Sequence, residues 1–252
     1  MFFKDRDLLI VFQNVLLIII DLSNDWSINE DIFAVLKKKF RSQDMVNLEK
    51  TRWHVYYLFD YVKPKLYDKY DDESINRSKE IWKFKNFDVD ANEYFKNEII
   101  NGIDSILTNI IKDDVKFLGL SYVPPSKVGK PSPMRNVIFE IIESHRKGEI
   151  KIGPIDELKI YNYSNLLKRV SDVPTSHLEK KRASYPEHLE SIECEGRLVS
   201  SARNMDIIIL LDDVTSSGAS MNACKNILAE NKINKRDIIK FAIFQSVWDR
   251  EE

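Results

Sequence analysis

Apolar residues in the second half of the chain fall into short continuous runs, separated by longer amphipathic segments. Two of these runs contain almost no polar side chain, a pattern typical of strands that are buried on both faces of a sheet. The four runs that predict strands are residues 115–123, 158–163, 206–211 and 238–247. The second half is therefore expected to contribute several buried strands to one sheet.

Helical segments are predicted between these strands. Ser132 followed by Pro133 has the form of an N-cap and a first helical residue, and it opens a helix that extends to about Lys147. A second helix is predicted over residues 219–231. Strands and helices that alternate at these lengths predict an α/β fold, in which helices flank both faces of a parallel sheet.

The first half of the chain has a different pattern, with the periodicity of amphipathic helices. Helices are predicted over residues 27–40, which begin with capping-box spacing, and over residues 90–111, which are apolar along one broad face. Residues 53–61 are aromatic and β-branched, and they predict a strand. Residues 63–78 are polar and include a proline, and we interpret them as a loop.

This change of pattern near residue 114 divides the chain of 252 residues into two parts. We expect a mostly helical N-terminal region over residues 1–114 and an α/β core over residues 115–252. The hydrophobic share of 43% and the charged share of 31% are those of an ordinary globular protein that buries a core.

Residues 8–20 are strongly apolar, but they are fewer than the roughly 20 residues that a helix needs to span a bilayer. Charges of both signs precede them, and no small-residue cleavage site follows. We expect this segment to be buried against the rest of the chain, against a second subunit in a homodimer, or against another protein partner. The expected protein is cytoplasmic and does not associate with a membrane.

Charge and cysteine content narrow the function classes further. The net charge of −2 shows no basic excess, which disfavours a nucleic-acid partner without excluding a local basic face. Cys194 and Cys224 lack the spacing of metal ligands, and we expect two free thiols in a reducing compartment.

The strongest chemical signal follows the strand predicted at residues 206–211. That run ends in two adjacent carboxylates, Asp212 and Asp213, and a turn of small residues with one glycine, Gly218, comes next. In an open α/β sheet, ligands bind beyond the carboxyl ends of the strands. Backbone amides in such a turn, together with the N-terminus of the next helix, form a cradle for an anion. Glycine lets the backbone approach that anion closely.

A phosphate in this turn and a vicinal diol on the two carboxylates together describe a ribose 5-phosphate. Further hydroxyl donors are supplied by Ser216, Ser217 and Ser220. A simple helix cap needs only one such residue, and it does not need two carboxylates that repel each other. The Gly-Lys-Ser/Thr of a Walker A loop is absent, which disfavours ATP hydrolysis of that type.

Residues 208–220 resemble the signature with which type I phosphoribosyltransferases bind phosphoribosyl pyrophosphate (PRPP). The resemblance implies a type I phosphoribosyltransferase-like fold. It assigns PRPP binding to Asp212, Asp213, Val214, Thr215, Ser216, Ser217, Gly218, Ala219 and Ser220. Thr215 stands where the family usually has an aliphatic residue, and serines replace the customary threonines, which preserves the hydroxyl groups.

Other segments are similar to the ComF-like branch of that family, so that the resemblance covers residues 80–247. Trp82-Lys83-Phe84-Lys85 is similar to the early Phe-Lys element of the branch, and residues 122–130 lie where the family has its pyrophosphate-binding loop. The loop candidates are Ser126, Lys127, Gly129 and Lys130. Residues 167–169 and 176–182 resemble the basic segment that precedes the last core strands.

The resemblance implies an enzyme of the glycosyltransferase class that transfers a pentosyl group. PRPP would bind with Mg²⁺, which is held by the pyrophosphate and for which Asp212 and Asp213 are candidate ligands. A nitrogen nucleophile that the sequence does not identify would attack ribose C1. The catalytic candidates are Asp212, Asp213 and Arg182, with Arg169 as a further cation for the pyrophosphate.

Two alternatives stay open. The first is a non-catalytic module of the ComF-like type that senses PRPP or a ribose 5-phosphate nucleotide, in competence, stress or defence. The second is an accessory protein of nucleic acids. Few residues follow the last predicted strand, so a base pocket would have to come from the first half, with Trp53, Tyr56 and Tyr57 as candidates.

The long polar stretch at residues 164–203 is the last feature with a functional interpretation. Connections of this length without a strong apolar pattern are usually functional lids or disordered segments. We expect residues 173–184 to be its mobile part, and to close over the pyrophosphate. The helical spacing of Leu166, Leu167 and Val170 predicts that another part of the stretch is a packed helix.

Overall fold

The computed structural model describes residues 48–50, 54–111, 115–154, 157–174, 183–234 and 237–247. The predictions for residues 8–20 and 27–40, for Trp53 and for Arg182 lie outside these ranges. Within them, no helix combines the length and the apolar character that crossing a membrane requires.

The centre of the molecule is a sheet of six strands in the order β1-β2-β8-β7-β3-β4. The strands, with a separate pair β5-β6, are β1 (Glu49–Lys50), β2 (Val55–Tyr61), β3 (Phe117–Tyr122), β4 (Lys159–Asn162), β5 (Leu167–Arg169), β6 (Ile192–Cys194), β7 (Ile207–Thr215) and β8 (Ile238–Ser246). Five strands of the large sheet are parallel, and only β1, at one edge, is antiparallel to its neighbour. The predicted α/β fold with a parallel sheet is confirmed.

Within the described ranges, six α-helices accompany the strands. They are α1 (Asp72–Lys85), α2 (Val89–Ser105), α3 (Pro133–Arg146), α4 (Tyr185–Ser191), α5 (Gly196–Ala202) and α6 (Ala219–Glu230). A 3₁₀ helix (Pro64–Lys69) precedes α1, and a π-helix (Ile106–Ile110) extends α2. The helices predicted over residues 90–111, 132–147 and 219–231 are thereby confirmed.

The two faces of the sheet bury two separate cores. Ile207, Ile209 and Leu211 of β7 pack with buried residues of α1, α2 and α3. Ile208 and Leu210 pack with residues of α5 and α6 on the opposite face. Because successive side chains of a strand point to opposite faces, the apolar run of β7 supplies both cores at once.

The loop predicted over residues 63–78 is wrong, since α1 begins at Asp72. The side chain of Asp71 accepts a hydrogen bond of 2.9 Å from the amide of Ser74, and so caps the helix. Asp72 and Glu73 follow in the first turn, where negative side chains stabilise a helix by their interaction with its dipole. The acidic cluster that we interpreted as loop composition is therefore a helix N-terminus.

The stretch at residues 164–203 differs from the predicted helix. Leu167 lies in β5, which pairs with β6 in the small antiparallel sheet. Leu166 and Leu167 are buried with residues of α5 and α6, whereas Val170 is exposed. The prediction of helix here failed because the same apolar spacing suits a short strand. Most of the window predicted to be mobile, residues 175–182, lies outside the described residues.

Candidate functional site

The carboxyl ends of β3 and β7 lie side by side at one edge of the sheet, because these two parallel strands are direct neighbours. The last backbone hydrogen bond between them joins the Val123 amide to the Leu211 carbonyl at 2.9 Å. The chain leaves β3 there and enters the β3–α3 loop (residues 123–132). This loop therefore begins immediately beside Asp212, the residue that follows Leu211.

Strand β7 continues past the predicted end at Leu211 and includes both carboxylates. Asp212 pairs with Ala242 and Thr215 with Gln245 of β8. Pairing with β3 ends at Leu211, so Asp212 and Asp213 extend beyond one neighbour while the other still holds them. We call these two residues the acid pair.

The side chains of the acid pair face opposite sides of the sheet. Asp213 follows the alternation of Ile209 and Leu211, toward α1, and its Oδ2 lies 3.2 Å from the Lys85 Nζ. Both side chains of this ion pair are about 30% exposed, with values of 31% for Lys85 and 28% for Asp213. Burial lowers the pKa of Lys85, but Asp213 and then Asp212 raise it by more, so the ammonium stays charged.

Asp212 faces the side of the sheet that α6 covers. Burial raises the pKa of the Cys224 thiol there, and the charge of Asp212 raises it further. Burial lowers the pKa of Arg169, and the charges of Cys224 and Asp212 oppose that shift. Burial raises the pKa of Asp212 well above its ordinary value, and the neighbouring Asp213 raises it further. The charges of Lys85 and Arg169 oppose this effect. The acid pair thus combines one carboxylate with a direct cationic partner and one carboxylate that resists ionisation.

Aromatic residues surround the Lys85–Asp213 ion pair. Tyr61, the last residue of β2, is buried, and its pKa is raised by that burial while a hydrogen bond with Trp82 and the charge of Lys85 lower it. Trp82 lies one helical turn before Lys85 on α1, and 44% of the residue is exposed. Residues 82–85, which resemble the Phe-Lys element, are therefore close to the acid pair in the folded chain, and Lys85 contacts Asp213 directly.

The β7–α6 loop (residues 216–218) has the geometry of an anion cradle. Gly218 has φ of 71°, in the left-handed region, and directly precedes α6. Among the described residues, no group accepts a hydrogen bond from the amides of Ser216, Ser217 or Gly218. These amides and the N-terminus of α6 are available to a negatively charged group, as in other helix-terminal phosphate sites.

Gln245 of β8 fixes the start of this loop, and the sequence analysis missed it. Its Nε2 donates to the Ser216 carbonyl at 3.0 Å. Its Oε1 and the Thr215 Oγ1 are both buried, and neither has a hydrogen-bond partner in the described part of the chain. Buried polar atoms without partners are rare, so these two atoms point to a polar ligand or water at this position. A polar residue inside the apolar run at 238–247 was the available signal.

The β3–α3 loop presents two lysines of different status. The Nζ of Lys127 lies 3.4 Å from the Asp172 Oδ2. Lys130 is exposed, and its ammonium pairs with no side chain that the structure describes. Gly129 has φ of 70° and open space around it, as the turn between the lysines requires.

Arg169 does not belong to a mobile segment, because it is the last residue of β5 and is buried. Its Nε donates to the Pro125 carbonyl at 2.9 Å, and its Nη2 to the Pro124 carbonyl at 3.2 Å. A third hydrogen bond reaches the Ser191 Oγ. The guanidinium is therefore buried near Asp212, where it anchors the backbone of the β3–α3 loop. It is not an exposed cation.

The described residues contain no group of three or more histidine, cysteine or acidic side chains that could bind a metal ion by themselves. Mg²⁺ commonly has one or two protein carboxylates and completes its coordination with phosphate oxygens and water. Asp212 and Asp213 fit that smaller requirement. Cys194 and Cys224 are free thiols, as predicted.

The aromatic candidates for a base pocket occupy other positions. Tyr56 and Tyr57 lie within β2, where they pack against the two cores. Their position in the sheet is that of ordinary core aromatics. Trp82 is closer to the acid pair and more exposed. The sequence did not predict a role for it in a base pocket.

No model of a known protein family matches the chain, and no curated protein matches its sequence. The resemblance to phosphoribosyltransferases therefore depends mainly on residues 82–85, 122–130 and 208–220 and on the chemistry of their side chains.

Proposed function

We propose that this chain is a PRPP-binding phosphoribosyltransferase of the type I, ComF-like kind. The observation that carries the proposal is the convergence of three elements at one edge of the sheet. The acid pair with Lys85, the β7–α6 loop with its free amides, and the β3–α3 loop with its lysines all meet there. A ligand with a diol between two phosphate groups matches this sequence of partners.

The β7–α6 loop would bind the 5-phosphate. The amides of residues 216–218 supply hydrogen-bond donors that have no partner among the described residues, and the serine hydroxyls of Ser216, Ser217 and Ser220 supply more. Gln245 of β8 fixes the first residue of the loop by its hydrogen bond to the Ser216 carbonyl. The cost of organising the donors is therefore met during folding, which favours tight binding of the anion.

The ribose diol would lie at the edge of β7 beyond the end of its pairing with β3, with one hydroxyl directed to Asp213 and the other to Asp212. Asp213 lies 3.2 Å from the Lys85 ammonium, and its carboxylate oxygens can accept from a ribose hydroxyl. Asp212 holds a proton more readily, and its carboxyl can therefore donate to one hydroxyl or accept from it. Such an arrangement orients the ribose with C1 directed away from the β7–α6 loop.

The β3–α3 loop would bind the pyrophosphate. Lys130 is available at once, and Lys127 follows when it separates from Asp172. Cations placed where negative charge develops on the leaving group stabilise the transition state more than the substrate. Mg²⁺ on the pyrophosphate would neutralise part of the same charge, with Asp212 and Asp213 as candidate protein ligands.

A second candidate function is a PRPP or nucleotide sensor without turnover. It is favoured by the positions of Tyr56 and Tyr57, which pack against the two cores and so do not form the base pocket expected of them. The binding chemistry is the same in both cases, and only the presence of an acceptor differs.

The experiment that tests the proposal measures release of pyrophosphate from PRPP and Mg²⁺ in the presence of a panel of purine and pyrimidine bases. Release that depends on one base supports the transferase. Saturable binding of PRPP without release under any base supports the sensor. Failure to bind PRPP or ribose 5-phosphate contradicts both.

A further inference from the structure

Residues 169–173 hold the β3–α3 loop by contacts that the proposed reaction does not use. The first contact is Arg169, whose fork of donors reaches the carbonyls of Pro124 and Pro125 and the Ser191 hydroxyl. Because prolines have no amide hydrogen, backbone pairing cannot hold these positions in the usual way. The buried guanidinium instead donates to the carbonyls of the two prolines, and it fixes the first half of the loop to β5 and α4.

The second contact lies farther along the loop. The Val173 amide donates to the Ser126 carbonyl at 2.9 Å, and the Asp172 Oδ1 accepts from the Val128 amide at 2.7 Å. The other oxygen of Asp172 lies 3.4 Å from the Lys127 Nζ. One carboxylate thus anchors the loop backbone with one oxygen and neutralises a loop lysine with the other.

We propose that Asp172 is a positioning residue that holds Lys127 away from the ligand until an anion on the β3–α3 loop displaces it. The inference rests on the proposed function for the identity of that anion, a pyrophosphate group. Arg169 and the Val128 hydrogen bond keep the backbone in place, so the exchange moves only the Lys127 side chain.

The exposure of the ion pair makes the exchange feasible. The side chains of Lys127 and Asp172 are 45% and 53% exposed, and exposed ion pairs of this kind are weak. A pyrophosphate carries several negative charges against the single charge of Asp172, so it competes successfully for the ammonium. Lys130, which has no described partner, attracts the anion first.

The experiment compares the wild-type chain with Asp172→Asn by calorimetric titration with inorganic pyrophosphate, and then with PRPP and Mg²⁺. Asparagine keeps an oxygen that can accept from the Val128 amide, but it removes the charge that competes for Lys127. We expect pyrophosphate to bind about two- to five-fold more tightly to Asp172→Asn at low salt. The gain is expected to disappear in Lys127→Met/Asp172→Asn, relative to Lys127→Met alone.

Glu149→Gln is the matched control, because it removes a surface carboxylate near Lys147, 3.9 Å away, at a position outside the loop. It should leave the affinity unchanged. Arg169→Lys keeps the charge but cannot reproduce the three-way fork, and we expect it to weaken pyrophosphate binding while the circular dichroism spectrum stays native.

The outcomes separate the two proposals. An affinity of Asp172→Asn equal to wild type, or a gain that persists without Lys127, overturns the role of Asp172 and leaves the proposed function standing. Binding of pyrophosphate without binding of PRPP overturns the proposed function, and the Asp172→Asn ratio for pyrophosphate still decides the role of Asp172. A wild-type chain that binds neither compound contradicts both.

Discussion

At the scale of single residues, Lys85 and Asp213 set the charge balance of the site. They are separated in sequence by about half the length of the chain, yet their charged atoms lie 3.2 Å apart. Nothing local in the sequence predicts this contact, since it depends on where α1 lies over the sheet. The one sequence feature that includes Lys85 is the resemblance of residues 82–85 to the Phe-Lys element of the ComF-like branch.

We predict that Lys85→Met weakens binding of PRPP and Mg²⁺ about tenfold, which corresponds to about 1.4 kcal/mol. Without Lys85, the acid pair has lost its direct cationic partner, and the two carboxylates repel each other more strongly. Lys83→Met is the matched control, because Lys83 lies on the same helix and pairs instead with Glu80 at 2.7 Å. Equal affinities of the two variants would show that the Lys85 contact has no role in binding.

His188 provides a pH-dependent test of the packing behind the site. Burial, and next the charge of Arg169, lower its pKa from 6.5 to about 4, while Glu187 opposes the shift. Between these two pH values the unfolded chain binds a proton that the folded chain does not. Protonation of the unfolded chain therefore leaves the free energy of unfolding unchanged above pH 6.5 and lowers it as the pH falls from 6.5 toward 4.

Urea unfolding at pH 7 and pH 4.5 measures this loss. We expect the free energy of unfolding of the wild-type chain to fall more between the two pH values than that of His188→Gln, in which this group does not titrate. Carboxylates remote from position 188 titrate equally in both proteins, so the difference reports on His188 and its neighbour Glu187. An identical fall in both would mean that His188 is solvated in the folded chain.

At the scale of elements, the end of β7 shows what sequence patterns predict and what they miss. The apolar run gave the position of the strand, but apolar character stops at Leu211 while pairing with β8 continues to Thr215. Backbone hydrogen bonds to a neighbour do not require apolar side chains. The consequence is functional, because residues in a strand alternate between faces and the acid pair is divided between them.

The β7–α6 loop depends on glycine at one position. Gly218 has φ of 71°, and an alanine there costs about 1 kcal/mol or relaxes the backbone and turns the amides away from the anion. We predict that Gly218→Ala weakens binding of PRPP at least tenfold. Gly148→Ala is the control, since Gly148 has φ of 72° and open space, after α3 and outside the three elements of the site.

Both alanine variants should lose similar stability in thermal unfolding, because the backbone penalty is the same. Only Gly218→Ala should lose affinity for PRPP in calorimetry. A loss of affinity in both would attribute the effect to general destabilisation, and no loss in either would mean that the phosphate binds elsewhere.

At the scale of the whole molecule, the order of strands creates the site. The sequence predicted four strands in the second half and one at residues 53–61, and these are confirmed by the described strands. It did not predict that β2 pairs with β8, which joins residues 55–61 to 240–246. Pairing between distant segments follows from how helices cover the two faces, and no local pattern records it.

The arrangement of β3 beside β7 has a direct functional consequence. The loop after each strand follows its carboxyl end at the same edge, so the β3–α3 and β7–α6 loops would contact the proposed ligand from two sides. Arg169 and Gln245 then hold one loop each. These two residues were not predicted in those roles, because their partners are backbone carbonyls of remote segments.

The measurement that tests the central claim most directly is a calorimetric titration of PRPP with Mg²⁺ into the wild-type chain and into Asp212→Asn/Asp213→Asn. We predict saturable binding to the wild type and none to the double variant. The midpoint of thermal unfolding should stay close to that of the wild type, since relief of the repulsion between the two carboxylates offsets the loss of the Lys85–Asp213 ion pair. Absence of binding to the wild type, or equal affinity in the double variant, would contradict the claim that this edge of the sheet is a PRPP site.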